Sequence, residues 1–242
     1  MTRPSLLLPV LLLLLLTGCG TQEAVPPYFP ASPQAGQAAC GTVRYDSGNT
    51  VSPCRISDYY IDSNEGVYVF VDYPGYYQSN GNGVAELIRQ AAYNGWTMEA
   101  LAEYPNTTVT VDYEVTRNDA RYFSAAFLFC AITQGGAHPA SNEYAVTIDR
   151  TAEKRVLLSD LVSFESPGDL ERLIPEAFTA LGNWFDLPPL EELASWYTNS
   201  LTRDEGKNFY LTEDSLCLIV SDGRYHYVLE APLASLPLSS EP

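Results

Sequence analysis

Apolar and polar residues alternate with a period of two along several stretches of this chain and follow a helical period along three others. Residues 66–73 put Val67, Val69, Val71 and Tyr73 on one side and Tyr68, Phe70 and Asp72 on the other, the pattern of a half-buried strand. Residues 55–61 alternate in the same way, which predicts a hairpin turned at Ser63-Asn64-Glu65-Gly66. The cleanest alternation is at 107–117, with Val109, Val111, Tyr113 and Val115 inward and Thr108, Thr110, Asp112 and Glu114 outward. A turn at Asn118-Asp119 leads into 121–133, whose middle, 124–130, is apolar on both faces and reads as a central strand. Residues 142–150 alternate again, with Tyr144, Val146 and Ile148 together. Three consecutive antiparallel strands, a meander, follow from this order.

Helical spacing is found at 83–92, where Val84, Leu87, Ile88, Ala91 and Ala92 form one stripe behind Asn82 as a cap. It recurs at 169–181 (Leu170, Leu173, Ile174, Ala177, Phe178, Leu181) and at 189–201 (Leu190, Leu193, Ala194, Tyr197, Leu201). Short strands at 209–212, 215–220 and 225–230, broken at Glu213-Asp214 and Asp222-Gly223, close the chain. The predicted class is α+β, an antiparallel sheet with amphipathic helices packed on it, and no internal repeat is visible.

The first residues obey a different logic. A basic start, Met1-Thr2-Arg3, precedes an apolar run at 6–16 that is too short to span a membrane, and Leu16-Thr17-Gly18-Cys19 follows. That is a lipobox: residues 1–18 are expected to be removed as a signal peptide, leaving Cys19 as an acylated, palmitate-bearing first residue. The expected location is the bacterial cell envelope, on the outer face of the cytoplasmic membrane, with the membrane engaged through lipid alone. Residues 19–39 carry Pro26, Pro27, Pro30 and Pro33 and read as a tether, leaving 40–242 as a single α+β domain. A hydrophobic content of 46% supports a substantial core and excludes general disorder.

Charge narrows the partners. With 13 Lys+Arg against 30 Asp+Glu, a formal charge of −17, and no basic run, the chain lacks what nucleic-acid binding requires. Such a balance favours basic partners, or serves solubility alone. Beyond Cys19 there are four cysteines, which allow three pairings. The favoured pairs are Cys40–Cys54, closing a loop of about 15 residues worth roughly 3 kcal/mol, and Cys130–Cys217, both in apolar strand-like runs. The C-x-x-C spacing of structural zinc is missing, so no metal and no cofactor are expected.

Catalytic signatures are absent: no G-x-S-x-G, S-x-x-K, H-E-x-x-H, P-loop or G-x-G-x-x-G occurs, and the two histidines, His138 and His226, adjoin no nucleophile motif. Carboxylate pairs such as Glu191-Glu192 and Asp204-Glu205 leave a glycosidase-type hydrolase open, although sequence neighbours usually do not face each other across a cleft. The tyrosines Tyr59, Tyr60, Tyr68, Tyr73, Tyr76 and Tyr77 serve either a binding surface or strand propensity. Gly135-Gly136-Ala137-His138, at the turn between two strong strands, is the remaining candidate, as a ligand contact or a self-satisfied loop.

The chain runs in order through Tyr113-Glu114-Val115, a strand opened by Ser124, the Gly135-Gly136-Ala137-His138 turn, Ile148-Asp149, Val156-Leu157-Leu158-Ser159-Asp160-Leu161 and Phe209-Tyr210-Leu211-Thr212. Over about 58–238 it resembles the extracytoplasmic domain family shared by the lysozyme-sensing anti-sigma factor RsiV and the N-terminal, non-catalytic part of the peptidoglycan deacetylase PdaC. The resemblance implies an α+β fold, no enzymatic activity, and binding of a partner; one member binds lysozyme, a basic protein. Family members commonly carry a Pro-Tyr and Gly-containing loop after the last apolar strand, where this chain has Ser221-Asp222-Gly223-Arg224-Tyr225-His226. The expected function is therefore a membrane-anchored, non-enzymatic binding lipoprotein that captures a cell-wall component such as peptidoglycan, or a basic extracellular protein such as a muramidase. An envelope hydrolase using paired carboxylates and a structural envelope scaffold are the alternatives.

Overall fold

The alternating stretches join edge to edge into one seven-stranded sheet in the computed structural model, which describes residues 39–46, 54–62, 65–76, 83–93, 105–182, 187–204, 208–222 and 225–239. The order is β1 (Ala39–Asp46), β2 (Cys54–Asp62), β3 (Val67–Gly75), β4 (Thr107–Asn118), β5 (Tyr122–Thr133), β6 (Ala140–Asp149) and β7 (Lys154–Arg155). Neighbours are antiparallel except β3 and β4, which run parallel because helix α1 (Gly83–Ala92) lies between them in the chain. The meander of β4, β5 and β6 and the hairpin of β2 and β3 follow the sequence pattern, as does α1. The leader, Cys19, the tether up to residue 38, Asn82 and Ser63-Asn64 lie outside the described residues.

One face of this sheet is apolar. Val67, Val69, Val71, Val109, Val111, Phe123, Phe127, Phe129, Val146 and Ile148 pack under Val84, Ile88, Ala91 and Ala92 of α1. Each such side chain contributes about 1.5–3 kcal/mol on burial. The Tyr144 hydroxyl donates to the Ala92 carbonyl at 2.9 Å, tying the helix end to β6. Asp58 is fully buried among these residues and accepts from the hydroxyls of Tyr73 (3.0 Å) and Tyr93 (2.6 Å). Burial first, and then the Asp58 charge, raise the Tyr93 phenol far above its ordinary range, so it stays a donor.

A second sheet holds β8 (Thr179–Leu181), β9 (Phe209–Leu211), β10 (Ser215–Ser221) and β11 (His226–Pro232) in the antiparallel order β8-β11-β10-β9. After a one-turn helix α2 (Leu158–Leu161), helices α3 (Pro167–Ala177) and α4 (Leu190–Asp204) cover one face of it, burying Leu170, Ile174, Leu193 and Tyr197 against Leu216, Leu218 and Leu229. Ser166 caps α3 and Pro167 occupies its first turn. The helix expected over 169–181 ends at Ala177: Phe178 turns extended (φ −105, ψ 153) and Thr179–Leu181 joins the sheet beside β11. Strand pairing thus overrides the helical stripe, seating Phe178 in the core and leaving Leu181 at the surface.

The expected disulfides are not formed in this fold. In the β1–β2 register Cys40 faces Tyr60 and Cys54 faces Asp46, so the two cysteines sit at opposite ends of the hairpin. Six strand residues separate them, roughly 20 Å, against the 7 Å or less between α-carbons that a disulfide needs. Cys130 and Cys217 are free thiols. Both lie in apolar strands as expected, but Cys130 belongs to β5 of the first sheet and Cys217 to β10 of the second.

Candidate functional site

The edge strand β9 of the second sheet meets the outward face of the first. The Leu211 amide donates to Ser124 Oγ at 2.9 Å, Thr147 Oγ1 donates to the Phe209 carbonyl at 3.4 Å, and the two hydroxyls are 2.8 Å apart. Ser124 and Thr147 are buried there, so the free backbone edge of β9 is satisfied by hydroxyls where it has no neighbouring strand. A register shift between Val115 and Arg117 re-aims Arg117, whose Nη1 donates to the Thr212 carbonyl at 3.2 Å and pins the β9–β10 turn.

Only one half of the outward face is covered in this way. On the other half, cross-strand rows run Asp112–Leu128–Glu143, Thr110–Cys130–Ser141 and Tyr68–Thr108–Ile132. Leu128 is 53% exposed, Ile132 54% and Tyr68 37%. Directly opposite residues stand about 5 Å apart, so Leu128 has a carboxylate on either side, and Glu114 projects two residues further along β4. No Lys or Arg occupies an outward position of β4, β5 or β6 between Thr108 and Glu114, Ser124 and Ile132, or Ser141 and Thr147. The result is an apolar strip set among carboxylates.

Electrostatic coupling joins this half-face to the second sheet. Burial, then the Glu114 charge, raise the Glu143 carboxyl above the ordinary carboxylate range. Tyr210, on β9, donates a hydrogen bond to the Cys217 thiol, and its phenol is raised by burial first and then by Cys217, Glu143 and Glu114. Burial pushes Cys217 up to about 11, with the Tyr210 hydrogen bond opposing and Glu230 reinforcing. A thiol held that high stays protonated near neutral pH and is a poor nucleophile. The Glu114 charge opposes ionisation of Glu143, and a cation placed by both would relieve that repulsion. Near this region His226 Nε2 lies 3.2 Å from the Ser141 carbonyl, joining β11 to the edge of β6. Among the described residues no three His, Cys, Asp or Glu side chains are grouped to hold a metal ion.

Residues singled out from sequence are distributed unevenly around this face. Gly135 (φ +84), Gly136, Ala137 and His138 form the exposed tip of the β5–β6 hairpin, at the same end of the sheet as Ile132 and Tyr68. The base of that tip is fixed: Gln134 N donates to the Asn106 carbonyl at 2.8 Å, and Asn106 packs so tightly on Gly66 (φ +67) that a β-carbon there would meet its Oδ1 at 2.7 Å. The tyrosine cluster divides by strand parity. Tyr60, Tyr73 and Tyr76 pack with the core, Tyr59 is half-buried, Tyr68 alone is exposed among the described members, and Tyr77 lies outside the described residues. Glu191 and Glu192 are solvent-facing in the first turn of α4, and Glu205 lies outside the described residues. Glu143, Tyr210 and Cys217 share no local signal in the sequence, because only the meeting of two sheets brings them together. The one local signal was Leu128, an apolar residue on the side of β5 that faces the outward carboxylates of β4.

No family model and no curated protein matches the chain. Among solved structures it is similar to a DUF3298 family member from Bacteroides fragilis NCTC 9343, at 13% identity and a TM-score of 0.45, over 92% of this chain and 96% of that one. A DUF3298 family protein from Pseudomonas aeruginosa PAO1 is similar at 13% identity and a TM-score of 0.45, over 86% of this chain and 95% of that one. Likeness this distant assigns no function. Among the described residues no helix is long and apolar enough to cross a membrane.

Proposed function

We propose that this chain is a lipid-anchored extracytoplasmic binding protein that acts by capture, without breaking bonds in its ligand. The observation that carries the reading is the open half-face of the first sheet, where Leu128, Ile132 and Tyr68 are exposed among Asp112, Glu114 and Glu143. Exposed apolar side chains grouped within a charged surface are typical of recognition sites. The lipobox at Leu16–Cys19 supports anchoring, and the resemblance of the residue pattern to the RsiV and PdaC domain family supports a binding role. The ligands in view are a basic secreted protein, for which a muramidase is the probe, and peptidoglycan. The test is retention: the full chain in mild detergent is mixed with lysozyme and with purified sacculi at several salt concentrations. Retention of either at low salt is the expected result, and retention of neither overturns the reading. Acyl labelling that follows Cys19, lost in Cys19→Ala, checks the anchor separately.

One observation favours a second reading. Glu143 is raised by burial and by its neighbour Glu114, as the general acid of a glycosidase is raised. On that reading the chain releases soluble fragments from sacculi and Glu143→Gln abolishes the release.

A further inference from the structure

Resting on the binding reading above, we infer that the open half-face docks a folded protein whose surface presents lysine or arginine on either side of an apolar patch, in preference to a glycan. The row Asp112–Leu128–Glu143 dictates this chemistry. Two carboxylates, exposed Asp112 and half-buried Glu143, flank one leucine across three adjacent strands, so the cations they would meet stand about 10 Å apart, two strand spacings. Ile132 lies four residues from Leu128 on the same strand face, about 13 Å away, and Tyr68 closes the row beside it. Of the seven large apolar side chains exposed among the described residues, Leu128, Ile132 and Tyr68 share this one face, so the clustering is local and not a general property of the surface. A net charge of −17 draws a basic partner from a distance, while the leucine and isoleucine supply desolvated contact once it arrives.

A cell-wall glycan fits the same face poorly. Its peptide stems carry carboxylates, which Asp112, Glu114 and Glu143 repel. Sugar rings stack on exposed aromatic platforms, and among the described residues the strands of this half-face present one exposed aromatic side chain, Tyr68. A second copy of the chain is disfavoured by the same charge.

The test measures binding of the full chain in mild detergent to lysozyme, pancreatic ribonuclease and cytochrome c, three basic proteins, with acidic α-lactalbumin as the control. At low salt at least one basic protein is bound and α-lactalbumin is not. Leu128→Lys weakens the complex at least tenfold, by removing apolar contact and adding a like charge. Asp112→Asn with Glu143→Gln, which keeps shape, flattens the salt dependence. A single cooperative thermal transition in both variants shows that each is folded. If a basic protein binds Leu128→Lys as tightly as the parent chain, the face is wrong although capture stands. If sacculi are retained through Leu128 and basic proteins are not, the partner class is wrong. If the parent chain binds nothing at low salt, the binding reading itself falls.

Discussion

The hydroxyls of Ser124 and Thr147 do for β9 what a neighbouring strand would, by meeting the Leu211 amide and the Phe209 carbonyl. Because both are buried, Ser124→Ala leaves the Leu211 amide without a partner in a dry junction. The expected cost is about 1–3 kcal/mol, read as a lower midpoint in urea at unchanged slope. Ser124 and Thr147 are legible in sequence only as small polar residues within apolar strands; nothing local says that a second sheet ends on them. Glu143 carries a sign of its own. Its carboxyl binds a proton more tightly in the folded state, through burial and then Glu114. Its contribution to stability is therefore fully present below the ordinary value of 4.5 and is lost as pH rises through the raised folded value. Glu143→Gln is expected to be more stable than the parent chain at neutral pH and equal to it below about pH 4, measured by urea titration at each pH.

At the scale of elements, the period of the pattern was a sound guide where one face of an element is buried and a poor one where partners are distant. Helix α1 and strands β3 to β6 stand close to where alternation and the helical stripe put them, because their inward residues all serve a single core. The stripe at 169–181 overran its helix, because β11 offers hydrogen bonds to Thr179 and Leu181 that no local pattern encodes. Cysteine pairing failed for the same reason. Strand character told which segments extend, while register and sheet membership decide which cysteines meet, and neither is written locally. Non-reducing alkylation followed by peptide mass mapping is expected to find Cys130 and Cys217 as alkylated thiols, Cys217 after unfolding because its thiol is buried and raised to about 11. A disulfide-linked peptide pair containing both would contradict their state as free thiols.

At the scale of the molecule, two cores share one contact line. The first sheet buries its inward face under α1, the second buries a face under α3 and α4, and β9 covers half of what the first sheet leaves outward. The uncovered half keeps Leu128, Ile132 and Tyr68 at the surface. None of this was visible from periodicity, which assigned Asp112 and Glu114 correctly to an outward face but carried no information on which outward positions a second sheet would cover. The charge balance was legible from the start and fits a basic partner, and the face on which that charge meets exposed apolar side chains emerged only with the register of β4, β5 and β6. Hydroxyl-radical footprinting, read side chain by side chain by mass spectrometry with and without bound lysozyme at low salt, addresses the account most directly. Oxidation of Leu128, Ile132 and Tyr68 should fall several-fold while Leu187 and Leu238, also exposed, stay unchanged. Protection of Leu187 or Leu238 with Leu128 and Ile132 still fully oxidised would place the contact elsewhere and refute the docking face.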